Sequence, residues 1–167
     1  MTQALADDTR PDHPTHGVIT TALSTVVGAP RPRVWRALTD PAEIVRWDER
    51  ALRLLQPVAQ PLAAGSVFCW RYLLGGIPVV LREEALDLVA EERLHAGVSL
   101  GLFHFEQTFT LADEAADPPR TRLSLRLATG NSLPVVGGHL DRFAVRRQAA
   151  QLVDMRLRAL QKWCESS

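Results

Sequence analysis

Between residues 121 and 129 the chain alternates cleanly: Leu123, Leu125 and Leu127 fall on one side, Arg122, Ser124 and Arg126 on the other. A period of two puts one face against a core and the other in water, so the spacing predicts a half-buried antiparallel strand. Toward the C-terminus the period lengthens. Leu140, Phe143, Ala144, Ala150, Val153, Leu157, Leu160 and Cys164 form one apolar stripe at helical spacing, predicting a single helix from Leu140 to Cys164. At about 1.5 Å per residue it is roughly 37 Å long, near the width of a sheet of about seven strands. The stripe must be buried, and the rest of the chain reads mostly as strands. The predicted packing is therefore one long helix against one curved sheet.

The same periodicities order the chain before it. Ile19, Thr21, Leu23, Thr25 and Val27 share a face of a strand from Val18 to Val27. That face is half polar, so it is either an edge packed against something wet or the wall of a polar-spotted cavity. Gly28, Ala29 and Pro30 end it. Pro32 suits the first turn of a short helix carrying Val34, Trp35 and Leu38. Asp40, Pro41 and Glu43 signal a second, with Asp40 and Glu43 expected to cap each other's amides and Ile44, Val45 and Trp47 on its apolar side. The stretch from Ala51 to Val58, interrupted by Pro57 and followed by Pro61, reads as an edge strand or loop. In Ser66 to Leu73, Phe68, Trp70 and Tyr72 alternate with Val67, Cys69 and Arg71, which predicts an inward aromatic face.

Gly75 to Pro78 makes a hairpin into Val79 to Val89, where two registers compete. One buries Leu86 and Leu88 with Arg82 and Glu84; the other buries Val79, Leu81, Ala85 and Val89 with Glu83 and Asp87. Charge enters the core side in both unless a bulge moves it out. Arg93 to Leu100 and Leu102 to Leu111 follow as a pair, with Phe103, Phe105, Gln107, Phe109 and Leu111 sharing a face. Residues 112–119 form an acidic loop and 130–139 a glycine- and proline-bearing connection. The order is strand, two small helices, about six strands, one long helix: an α+β helix grip.

Composition narrows the picture. The 167 residues, 46% hydrophobic, suit one domain with a sizeable core. Residues 1–17 are polar, with Asp7, Asp8 and Asp12, and lack a signal-peptide core, so they are expected to be a disordered tail before a single domain spanning 18–167. The formal net charge is zero, which disfavours nucleic acid and anionic membrane surfaces as partners. No run approaches the roughly 18 apolar residues of a membrane span, and a cytoplasmic monomer or homodimer is expected. Cys69 and Cys164 lack metal-ligand spacing and read as reduced thiols. Lys162 is the only lysine among 19 basic residues, a bias pointing to a G+C-rich bacterial source.

Several stretches together carry a resemblance. Val27, Gly28, Ala29 and Pro30, then Val34, Trp35, Leu38, Thr39, Asp40, Pro41 and Trp47, resemble the opening signature of the START-like (SRPBCC) superfamily, which includes birch-pollen-type allergens, lipid-transfer domains and polyketide cyclases. Gly65 with Phe68, Arg93 with Leu94, Phe109 with Leu111, Thr121 to Leu123, and the ending Leu160 to Glu165 resemble its later positions. The resemblance implies the helix-grip fold and an internal cavity for a small hydrophobic, aromatic or polyketide-like molecule. Apart from that resemblance, the absence of cofactor motifs and metal-ligand spacing leads to the expectation of no cofactor and no metal. The superfamily's enzymatic branch implies cyclisation, aromatisation or dehydration; its other branches imply a carrier or sequestering protein, or a co-chaperone-activator-like module. The chain departs from the cyclase pattern in lacking a conspicuous inward acid and base, and in having Ala90, Glu91 and Glu92 where a proline usually precedes the fifth strand.

Candidate site residues follow from the inward faces and that resemblance. Trp70, Tyr72 and Gln107 are either a flat-walled lining with two polar handles or ordinary core packing. Thr25, Trp47, Phe105 and Phe143 complete the expected lining. Glu83, in the register that turns it inward, is the general-base candidate, with Tyr72 beside it in a proton relay; in the other register Glu83 is a solvated surface charge. His95 is a proton shuttle at the cavity mouth or a residue of the wet face. His13 and His16 have the spacing of a metal pair but no completing ligand. Arg142, Arg146, Arg147, Arg156, Arg158 and Lys162 read as the solvated side of the last helix. No phosphate loop, dinucleotide fingerprint, serine elbow or zinc spacing occurs.

Overall fold

The computed structural model describes residues 19–101, 103–129 and 142–166, excepting the side chains of 142–146 and 148. The expected tail at 1–17 with His13 and His16, and the connection at 130–139, lie outside the described residues. The elements are β1 (Ile19–Val27), α1 (Arg31–Thr39), α2 (Pro41–Trp47), β2 (Ala51–Leu54), β3 (Val67–Leu74), β4 (Ile77–Val89), β5 (Arg93–Leu100), β6 (Phe103–Glu114), β7 (Arg120–Thr129) and α3 (Arg142–Glu165). The seven strands form one antiparallel sheet in the order β1-β7-β6-β5-β4-β3-β2. The α+β helix grip is thus the observed architecture. No described helix is long and apolar enough to cross a membrane.

Local chemistry sets the element boundaries. Gly75 and Gly76 join β3 to β4 with φ of 56° and 83°, a left-handed pair that side chains rarely adopt. The α2 cap differs from the reciprocal box expected of it. Asp40 accepts from the amide of Ala42 at 2.8 Å, while Glu43 turns away to Arg33, Arg36 and Trp163. Two guanidinium groups and an indole N–H hold that carboxylate more strongly than one exposed backbone amide does. The result ties α1, α2 and the end of α3 together.

β4 settles its register with a bulge. Pairing with β5 shifts between Ala85 and Asp87, so Val79, Leu81, Glu83 and Ala85 share the inner side before it, and Leu88 packs on the core after it. Asp87 is thereby turned out to meet Arg93 at 2.5 Å. Leu86, the extra residue, folds over Gly97 on the other face, where a Cβ would come within 3.4 Å of its Cδ1. Of the β4 carboxylates, Glu83 stays inside.

The core lies between the sheet and α3, which packs chiefly on β1, then on β7 and α1. Val153, Leu157, Leu160 and Cys164 of α3 are buried against Leu123, Leu125, Phe109 and Val34. Each large apolar side chain fully buried there contributes about 1.5–3 kcal/mol. A smaller cluster at the other end joins Ala51, Phe68 and Trp70, the two rings stacked 5.7 Å apart. The polar face of β1 finds its partners on α3: Thr25 donates to Gln161 Oε1 at 3.1 Å, and Gln161 Nε2 donates to the Val26 carbonyl.

Candidate functional site

Between the inner face of β3 to β7, the end of α2 and the middle of α3 lies a cavity of about 100 Å³. Its walls are apolar: Ile44, Leu81, Val98, Leu100, Phe105, Leu127 and Leu152. Leu74 also lines it and is 49% exposed, which places the mouth at the β3–β4 hairpin end. A groove of about 600 Å³ crosses the outer face of the sheet, but the Arg82–Glu84 ion pair and other exposed polar groups line much of it. Of the two, the inner cavity combines apolar enclosure with convergent polar groups.

Those groups form one connected floor. Asp48, 4% exposed at the C-cap of α2, accepts from the Tyr72 hydroxyl at 3.3 Å and from the Arg50 amide at 3.2 Å. Arg50 Nε lies 3.4 Å from the same carboxylate, and Arg156 Nε lies 3.6 Å from its Oδ2. Gln107, 1% exposed, accepts from Arg156 Nη1 at 2.7 Å through Oε1 and donates through Nε2 to Glu83. The Arg156 guanidinium sits 5.6 Å from the ring centroids of both Trp47 and Phe109. Aromatic faces offset part of the desolvation cost of that cation.

Burial separates the titration behaviour of the two predicted catalytic groups from that of exposed ones. Loss of water raises the Glu83 pKa, and this outweighs the Arg156 charge and the hydrogen bonds from Gln107 and Trp70 that work to lower it. Burial likewise pushes the Tyr72 phenol up to about 12, so it remains a neutral donor to Asp48. Of the carboxyl groups in the floor, Glu83 is thus the one whose ionisation burial opposes.

Tyr72, Glu83, Trp70, Phe105 and Gln107 come together around this cavity, as their faces predict. Trp47 does not form the wall: it is buried behind Arg156 and donates its indole N–H to the Ala37 carbonyl at 2.8 Å. Thr25 is a correction, because α3 covers β1 at that point and takes its hydroxyl to Gln161. Phe143 lies on α3, its side chain outside those described. His95 is on the outer face, opposite the buried Leu94 and Ala96, with Glu106 at 3.0 Å; it is no shuttle at the mouth. Sequence reasoning missed Asp48, Arg50 and Arg156. For Arg156 a signal existed: it stands four residues after Leu152, three after Val153 and four before Leu160, at the margin of the apolar stripe.

A seven-stranded antiparallel sheet gripped by one C-terminal helix, with two short helices after the first strand, defines the START-like class. Solved structures share it: a START superfamily protein of Mycobacterium smegmatis (16% identity, TM-score 0.68, 88% of this chain and 97% of that one). A protein of Thermus thermophilus (22% identity, TM-score 0.63, 89% and 98%) and Ara h 8.0201 (13% identity, TM-score 0.60, 90% and 100%) share it too. At such identities the likeness is one of fold. Within that class, the chain belongs to the polyketide cyclase/dehydrase and lipid transport family, whose pattern runs over residues 18–165. No curated protein matches it.

Proposed function

We propose that the protein binds a small hydrophobic molecule in the cavity, with one ring or a group of similar size seated among Leu81, Val98, Phe105 and Leu127. The observation that carries this reading is the enclosure itself: apolar walls over a polar floor, reached from the hairpin end. A dry cavity of about 150 Å³ accepts benzene, so a space of about 100 Å³ with an open mouth suits a single ring better than a fused polycycle. This narrows the polyketide-like guest implied by the resemblance to the portion of it that enters.

The floor also supports proton transfer to that guest. Glu83 lines the cavity and its burial favours the protonated form, which suits it to hand a proton to a bound carbonyl or hydroxyl, as dehydration or ring closure needs from a general acid. The non-catalytic carrier is the second reading, and one observation favours it: Tyr72, Asp48 and Gln107 are already engaged within the floor, which leaves none of the three poised as a free base. Native mass spectrometry of protein purified from its producing cells tests both. A retained small molecule that the protein converts, with conversion lost in Glu83→Gln, supports the catalytic reading; one returned unchanged supports the carrier. No retained molecule and no uptake of one-ring probes would contradict binding altogether.

A further inference from the structure

Arg156 presents five N–H donors in a planar fork, and among the described residues only its Nη1 makes a hydrogen bond, to Gln107. Its Nε is buried and has no hydrogen-bond partner. The nearest acceptor, Asp48 Oδ2, stands at 3.6 Å, beyond hydrogen-bond reach. Asp48 is committed elsewhere, to the Tyr72 hydroxyl and to Arg50. Gln107 meets the same guanidinium through its oxygen, at Nη1, and turns its amide nitrogen to Glu83. The floor thus sets two guanidinium groups, Arg50 and Arg156, beside the carboxyl groups of Asp48 and Glu83. A buried guanidinium with an orphan donor is an incomplete pair.

Resting on the cavity reading above, we propose that the guest is an anion, a small ring bearing a carboxylate that Arg156, which lines the cavity, engages through the Nη donors not given to Gln107. A carboxylate is the group whose two oxygens match a guanidinium fork. A ring with a phosphate is bulkier and brings up to two charges into a cavity of about 100 Å³. The ring lies against Leu81, Val98 and Phe105, and the carboxylate points to α3.

Benzoate and benzamide have nearly the same shape and differ in charge, so calorimetric titration with the pair reads the inference directly. In the unaltered protein, benzoate should bind roughly ten- to a hundredfold more tightly than benzamide, the range of a charge-assisted hydrogen bond. Arg156→Gln should erase that preference, bringing the ratio of benzoate to benzamide affinity to within about threefold of one. Asp48→Asn, which removes the competing carboxylate, should raise the ratio of benzoate to benzamide affinity above that of the unaltered protein, and it keeps a readout should Arg156→Gln fail to fold. Equal binding of the two probes to the unaltered protein, or a benzoate preference that survives Arg156→Gln, overturns the anion and leaves the cavity standing. Failure of every ring to bind, charged or neutral, overturns both.

Discussion

Replacing Glu83 by glutamine removes one titratable proton from the floor while preserving its shape and its acceptor toward Gln107. Burial raises the folded-state pKa of this carboxyl above its ordinary 4.5. Below 4.5 the acid is protonated in both folded and unfolded chains, and its contribution to stability is fully present. Between 4.5 and the folded pKa only the unfolded chain ionises, so stability falls with rising pH. One proton gives a slope of at most about 1.4 kcal/mol per pH unit. Above the folded pKa the loss levels off. Urea unfolding followed by the fluorescence of the four tryptophans, from about pH 5 to about pH 8, measures this. The two proteins should be within about 1 kcal/mol of each other at the acid end, with Glu83→Gln progressively the more stable as pH rises. Parallel profiles would show that Glu83 is solvated or that Arg156 holds it ionised, and the assignment of the proton donor would fall.

Glu43 behaves in the opposite sense: burial works to raise its pKa, but the bonds from Trp163 and Arg33 and the charges of Arg33 and Arg36 outweigh it and hold it low. Its contribution is present above pH 4.5 and is lost as pH falls through the lowered value, and Glu43→Ala should cost roughly 3 kcal/mol at neutral pH in the same unfolding assay. Leu160→Ala, at a fully buried position of the α3 stripe, should cost about 3–5 kcal/mol by chemical denaturation; a cost under about 1 kcal/mol would mean that α3 does not grip the sheet. Tyr72→Phe should cost about 1 kcal/mol, and in the unaltered protein spectrophotometric titration should show no phenolate until about pH 12. Ionisation near pH 10 would contradict the burial of that phenol.

The sheet was legible because most of its strands bury one face, and Leu123, Leu125 and Leu127 or Phe68, Trp70 and Tyr72 state which. The parity of β4 was not, since a single extra residue at Leu86 switches the inward set from odd to even positions and periodicity alone allows either. With the bulge in place, Glu83 faces the cavity, in the register that makes it a candidate for proton transfer. The other half of the floor escaped for a different reason. Arg156 shares its helix with the exposed Arg147 and Arg158, and residue type alone does not distinguish the one that folds back over Trp47 and Phe109. Asp48 has no periodic context at all, being the single residue that caps α2, and its burial depends on Arg50, Tyr72 and Arg156 arriving from three other parts of the chain.

Everything functional rests on the interior cavity taking up a guest, and titration of methyl- and indole-labelled protein with neutral benzamide, followed by nuclear magnetic resonance, asks this most directly. The signals of Trp70, Leu81, Val98 and Leu127 should shift together and saturate at a single equivalent, and Val98→Phe, which fills the space, should abolish the response. Shifts confined to the outer face around Leu86 and His104, or unchanged binding in Val98→Phe, would contradict a guest between sheet and helix.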